Sequence, residues 1–155
     1  MRLFVFMMTT DQQEIRQVVA AVYKGLSGFA GAPRAWSEFE ACFAPEGRIT
    51  PFHIEPDGKF YFEVLTTRQY IASRERLLAS VSFFENETDH AVVIEGRIAH
   101  VFSRYEARHA PDEPAFVSGV NSLQLVRLPE GWRVLSMTWQ FTGLGSTPVG
   151  DFRPA

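Results

Sequence analysis

The chain has 155 residues, with 15 Lys plus Arg against 18 Asp plus Glu, a formal charge of −3, and 46% hydrophobic and 14% aromatic content. A length near ~150 predicts a single domain, residues 1–155 with its core over 11–141, burying roughly two-thirds of the unfolded surface. The charge balance excludes the basic stripe of a duplex-binding protein, and the aromatic content excludes disorder as the main state. One cysteine, Cys42, excludes an intramolecular disulfide framework and a cysteine-rich zinc site.

The start, MRLFVFMM, has an apolar run too short for a secretory core or a membrane span. It reads as a short first strand, or as residues upstream of a start at Met7 or Met8. The expected location is the cytoplasm, with no membrane contact. In the first predicted helix, Thr10 and Gln13 suit a capping box, and Ile15, Val18, Val19, Val22 and Leu26 share one face. Gly25 and Gly28 mark its stop. Pro33 opens a second helix carrying Trp36, Phe39 and Phe43, which Pro45 and Gly47 end. Residues 48–53 and 59–65 read as short strands around the turn Pro56-Asp57-Gly58. A third helix begins near Thr66 or Thr67, capped by Gln69, with Tyr70, Ile71, Leu77, Leu78 and Val81 on its inner face.

Long strands follow. Over residues 83–95 the odd positions carry Glu85, Glu87, Asp89 and Glu95, and the even ones Phe84, Asn86, Thr88, His90, Val92 and Ile94. Side chains alternate faces along a strand, so this spacing predicts the acids in solvent and the even set inside. Over residues 97–109 the inward set is Ala99, Val101, Ser103, Tyr105 and Ala107, with Ile98, His100, Phe102 and Arg104 outward. Over residues 116–127 it is Val117, Gly119, Asn121, Leu123 and Leu125. The last strand, after Gly131, is expected to turn Leu135, Met137, Trp139 and Phe141 inward and Val134 outward. The tail from Gly143 reads as an irregular extension, as do the first ten residues. Helices first and an antiparallel meander afterwards predict an α+β domain, a curved, mainly antiparallel sheet wrapping three helices as a cone. The apolar residues on the outer faces predict a homodimer through the sheet.

The segments IRQVVAAVYKGLSG, FEACFAPEGRITPF, GRIAHVFSRYEAR, GVNSLQLVR and GWRVLSMTWQF, in that order, resemble the nuclear transport factor 2-like superfamily and especially its SnoaL-like branch. The resemblance covers about residues 11–141. It implies a cone with a pocket between sheet and helices, commonly in a homodimer, and members that are isomerases, dehydratases, cyclases or plain binders. Against ketosteroid isomerase within that superfamily, the sequence departs. The position of the general base, before Pro51, holds Thr50; the tyrosine donor falls near Val18; the second oxyanion donor falls at Asn121. That isomerase chemistry is therefore not expected.

With no acid among the inward sets, histidine is the expected proton-transfer group. His53 falls near the pocket mouth, with a solvated loop histidine as the competing reading, and His90 points inward, with a hydrogen-bonded core histidine competing. His100 is expected on the dimer face and His109 at the surface. Tyr105 and Asn121 complete the candidate catalytic set as oxyanion donors. Trp36, Phe39, Phe84, Val101, Leu123, Met137 and Trp139 are the candidate apolar wall, and Asn86 and Ser103 further polar handles. Cys42 reads as a buried small hydrophobe. His53 and Glu55 are close on a loop and the other histidines diverge, so no metal is expected, and no phosphate or dinucleotide motif implies a cofactor. The leading function is a small-molecule-binding domain for a hydrophobic or carbonyl-bearing ligand. The alternatives are a cofactor-independent dehydratase or isomerase with a His base, and a protein-interaction module.

Overall fold

Chain order begins with α1, Thr10–Leu26. Its cap is a residue earlier than the spacing suggested: the Thr9 hydroxyl accepts from Gln12 N, and the Gln12 side chain accepts from Thr9 N, a closed capping box. A computed structural model describes residues 9–142, leaving aside the His53 side chain, so the expectations for the first eight residues and for the tail from Gly143 lie outside the described residues.

Ile15, Val19, Val22 and Leu26 of α1 are buried as their helical spacing predicts. After α1, Arg34 donates to the carbonyls of Leu26, Gly28, Phe29 and Ala32, closing the connection that backbone hydrogen bonds alone do not satisfy. Helix α2, Trp36–Ala41, is shorter than expected. Phe43 already belongs to strand β1, Phe43–Thr50, because Val134 N donates to Cys42 O and draws the chain alongside the last strand. Pro45 therefore sits within a bulged strand rather than ending a helix. The hairpin of β2 (Phe52–Ile54) and β3 (Phe60–Phe62) forms a separate two-stranded ribbon around the predicted turn, and β4 is Leu65–Thr66. Helix α3, Thr67–Leu78, starts with a capping box between Thr66 and Gln69.

Strands β5 (Phe84–Glu95), β6 (Ile98–Arg108), β7 (Val117–Leu128) and β8 (Gly131–Phe141) form the expected antiparallel meander. The six-stranded sheet runs β4-β1-β8-β7-β6-β5, with β1 and β8 parallel and the sheet unclosed. This is the predicted α+β architecture. The helices cover the face formed by Val101, Leu123, Leu125, Val134 and Met137, and Trp132, fully buried, ties α1 to β8 by donating from Nε1 to Asp11 Oδ1 at 2.9 Å. Among the described residues no helix is long and apolar enough to cross a membrane.

Two bulges decide which side chains reach the interior. Pairing of β5 with β6 shifts by one residue between Glu87 and Asp89, so one extra residue, Thr88, is accommodated there. Beyond the bulge, His90, Val92 and Ile94 point inward as expected. Before it the faces are exchanged: Glu85 and Glu87 turn to the helix side, and Asn86 is exposed, accepting from Arg108 Nη1 at 2.7 Å. The β7–β8 pairing shifts likewise at Gln124 and Leu125, and the extra residue is Leu135. Val134 and Trp132 are thus buried where strict alternation put them outside. Along β6 and β7, which keep their phase on the inner face, all ten inward assignments hold.

Candidate functional site

The sheet's inner surface is built from rows of paired residues. Glu85, Ala107 and Val117 form one row, Glu87, Tyr105, Gly119 and Phe141 the next, and His90, Ser103, Asn121 and Trp139 a third. Small side chains at positions 107 and 119 leave space at this end of the sheet. A cavity of about 50 Å³, counted as space that the centre of a water molecule reaches, lies there. One water needs roughly 10–15 Å³ on that measure, so the space suits a few atoms of a small molecule. Leu26 of α1, Tyr70, Arg74 and Leu78 of α3, and Phe83, Phe116, Met137 and Trp139 form most of the wall; Glu85, Tyr105 and Asn121 supply its polar floor.

Glu85 is the residue that strict alternation concealed. Burial among apolar walls raises its carboxyl from the ordinary carboxylate range to about 8, and a hydrogen bond with the Asn121 side chain works against that rise. At neutral pH this carboxyl holds its proton. Burial, then the neighbouring Glu85, raises the Tyr105 hydroxyl as well, and burial pushes Tyr70 up to about 12. Both tyrosines are therefore neutral donors. No group among the described residues accepts from the Tyr105 hydroxyl, which lies against the backbone at Gly119. Arg74, 5% exposed, holds its guanidinium carbon 5.1 Å from the centre of the Tyr70 ring, while its Nε and Nη2 meet no acceptor among the described residues.

A hydrogen-bonded chain runs behind the cavity floor. His90 Nδ1 lies 3.0 Å from Glu87 Oε2, and the Ser103 hydroxyl donates to that same oxygen. The Tyr23 and Ser103 hydroxyls are 2.6 Å apart, and Asn121 Nδ2 donates to the Tyr23 oxygen at 3.0 Å. Since the Ser103 proton goes to Glu87, Tyr23 donates to Ser103. Asn121 is thereby held in one orientation beside Glu85. Ser103→Ala should leave the buried Tyr23 hydroxyl without its acceptor and remove the hydroxyl donor from Glu87, destabilising the fold by about 1–3 kcal/mol. Urea unfolding should show a lower midpoint at unchanged slope.

The structure thus brings Tyr105, Asn121, Met137 and Trp139 of the expected site to one cavity. Phe39, Val101 and Leu123 are buried in the packed core, Trp36 leans on that core at the surface, and Ser103 belongs to the chain behind the floor. Phe84 packs edge-on to Phe29 at 4.9 Å, away from the cavity. Asn86 is a correction, being on the outer side of the bulge. His90 points inward with its side chain 2% exposed, but it pairs with Glu87 and does not line the cavity; its Nε2 is buried without a partner. The backbone of His53 pairs with Tyr61, and its side chain lies outside the described residues. His100 and His109 are at the surface, the latter stacked on Phe116 at 4.1 Å. Burial pushes the Cys42 thiol up to about 11, which leaves it unreactive. Among the described residues no cluster of three or more metal-ligating side chains occurs. Sequence reasoning missed Glu85 and Arg74. The signal for Arg74 was present: it stands four residues after Tyr70 and four before Leu78, in the middle of the apolar stripe of α3.

No sequence-family profile matches the chain, and comparison with curated proteins gives no match. Solved structures do match. A proposed dehydratase of the nuclear transport factor 2-like family from Streptomyces avermitilis superposes over 86% of this chain and 97% of its own, with a TM-score of 0.65 and 16% identity. The chain has the nuclear transport factor 2-like fold. Proteins similar to it within this fold include a cystatin-like protein of unknown function from Nostoc punctiforme, covering 87% of this chain and 94% of that one at a TM-score of 0.67 and 12% identity. A proposed aromatic ring hydroxylase from Novosphingobium aromaticivorans covers 92% and 96% at a TM-score of 0.67 and 16% identity. Identities this low carry the nuclear transport factor 2-like fold and no activity.

Proposed function

We propose that the cavity binds a small, largely apolar molecule with a carbonyl oxygen, and that Glu85 transfers a proton on it, as in a cofactor-independent lyase or isomerase. The observation that carries this reading is a carboxyl group near its neutral-pH titration point inside a largely apolar cavity, which it shares with a tyrosine hydroxyl that has no acceptor among the described residues. The base expected from sequence was a histidine; Glu85 takes that role here. A proton-transfer group works best when its pKa lies near the working pH. Tyr105 is the donor to the carbonyl oxygen, where negative charge develops. Asn121 is a positioning residue, its amide committed to Tyr23 and Glu85.

On a β-hydroxy carbonyl compound the cycle closes with one carboxyl group. In one step the Glu85 O–H protonates the departing hydroxyl while the other Glu85 oxygen takes the proton next to the carbonyl. The C–H pair becomes the new C=C bond, the C–O bond breaks, water leaves and Glu85 is again a carboxylic acid; C–H cleavage runs ahead of C–O cleavage, so negative charge builds on the carbonyl oxygen. A thermal-shift screen of small carbonyl metabolites, followed by proton NMR of each stabilising compound in D₂O, tests the reading. The expected result is exchange of the C–H beside the carbonyl, or an olefinic product. Ligands that stabilise without exchange or product would leave a binding domain only, and a screen with no stabilising compound would remove the cavity's role altogether.

We also propose that a second copy of the chain covers the outer sheet face. Val93, Ile98 and Phe102 are 64%, 52% and 52% exposed there, a density of large apolar side chains that supports a covered surface. Sedimentation should give a dimer for the native chain and a monomer for Phe102→Glu; a monomeric native chain overturns this.

A further inference from the structure

We infer that the ligand of this cavity carries a carboxylate, and that the Arg74 guanidinium receives it. The inference rests on the cavity being a ligand site and names the chemical class that the site takes. Arg74 lines the cavity from α3, and its Nε and Nη2 are buried with no accepting partner among the described residues. A planar guanidinium offers parallel N–H bonds at the spacing at which a carboxylate accepts two hydrogen bonds at once. A guanidinium does not escape burial by giving up its proton. The Tyr70 ring face, 5.1 Å away, offsets part of the charge but accepts neither N–H.

Charge balance in the wall favours the same ligand. Apart from tyrosines, Arg74 and Glu85 are the ionisable residues lining the cavity. With Glu85 holding its proton, the wall carries one positive charge, which a monoanion cancels. A multiply charged phosphate would leave the wall with net negative charge. The remaining wall, including Leu26, Leu78, Phe83 and Trp139, suits a short apolar body on that carboxylate.

Isothermal titration with acetate, propionate and isobutyrate, each compared with its primary amide, tests the inference on the intact chain. The native protein should bind at least one acid more tightly than its amide. Arg74→Met should remove that preference, on the order of a hundredfold, with amide binding kept, and Arg74→Lys should restore part of it. Equal affinity for acid and amide in the native protein overturns the inference even if neither variant folds. So does a preference that survives in Arg74→Met, and so does failure of all three acids to bind. Acetone and butanone separate the two readings: if these neutral ketones bind while the acids do not, the cavity remains a ligand site and the carboxylate assignment alone is lost.

Discussion

Glu85→Gln should lower turnover by about 10²–10⁴-fold while the protein stays folded, because the amide keeps the shape and the hydrogen bond to Asn121 but has no proton to deliver. The same substitution should change how stability follows pH. The carboxyl titrates near its ordinary value of 4.5 in the unfolded chain and near 8 in the folded one. Below the lower value both states hold the proton. Between the two, the folded protein keeps a proton that the unfolded chain has released, so stability falls as pH rises, by up to roughly 1.4 kcal/mol per pH unit. Above about 8 this group adds no further slope. Denaturant unfolding between these pH values should show that decline in the native protein and a shallower one in Glu85→Gln. Turnover should fall with rising pH through the same upper value, since the protonated carboxyl begins the cycle. A variant that turns over normally, or an unchanged pH slope of stability, would remove Glu85 from the role assigned to it.

The reason Glu85 was not legible in the sequence is local. On β6 the choice of face was clear, because Ala99, Val101, Ser103, Tyr105 and Ala107 are small or apolar while the opposite set contains Arg104 and Glu106. The first half of β5 offers no such contrast: Asn86 and Thr88 on one face oppose Glu85 and Glu87 on the other. Where both faces are polar, hydropathy does not set the register, and an added residue passes unnoticed. The bulge falls in that stretch, between Glu87 and Asp89, and reverses the parity that the apolar half, Val92 and Ile94, establishes correctly. The shift at Leu135 hides for the opposite reason, since Trp132, Val134, Leu135 and Met137 are apolar in either phase. The fold survived both misreadings because helix order, capping boxes and hairpin turns do not depend on which face a single side chain takes. The candidate site did not, because it stands on the polar half of one strand. Arg74 was obscured differently: a charge in an apolar stripe was passed over when the inner face of α3 was read from its hydrophobic residues alone.

Gly119→Ala should disable the cavity without replacing any ionisable group. Gly119 pairs with Tyr105 on one side and with Phe141 on the other, in the middle of the sheet. A Cβ at that position would stand 2.5 Å from the Tyr105 hydroxyl oxygen and 2.7 Å from the carbonyl oxygen of Gln140. The first contact is relieved if the tyrosine ring swings away, but the second is with backbone held in the β7–β8 ladder, so the strand itself has to move. Overpacking of this kind destabilises by about 1–3 kcal/mol. The movement would also take the Tyr105 hydroxyl from the place where it meets a carbonyl oxygen. Turnover should therefore fall more steeply than the stability change explains, and the loss should appear in kcat more than in KM, because the tyrosine's hydrogen bond strengthens as charge develops on that oxygen. Tyr105→Phe supplies the comparison: it removes the hydroxyl and leaves the strand in place. If Gly119→Ala and Tyr105→Phe lower kcat to a similar degree while only the former lowers the unfolding midpoint, the glycine serves to seat that hydroxyl. Full activity in Gly119→Ala would show that the position of Tyr105 has no part in the chemistry.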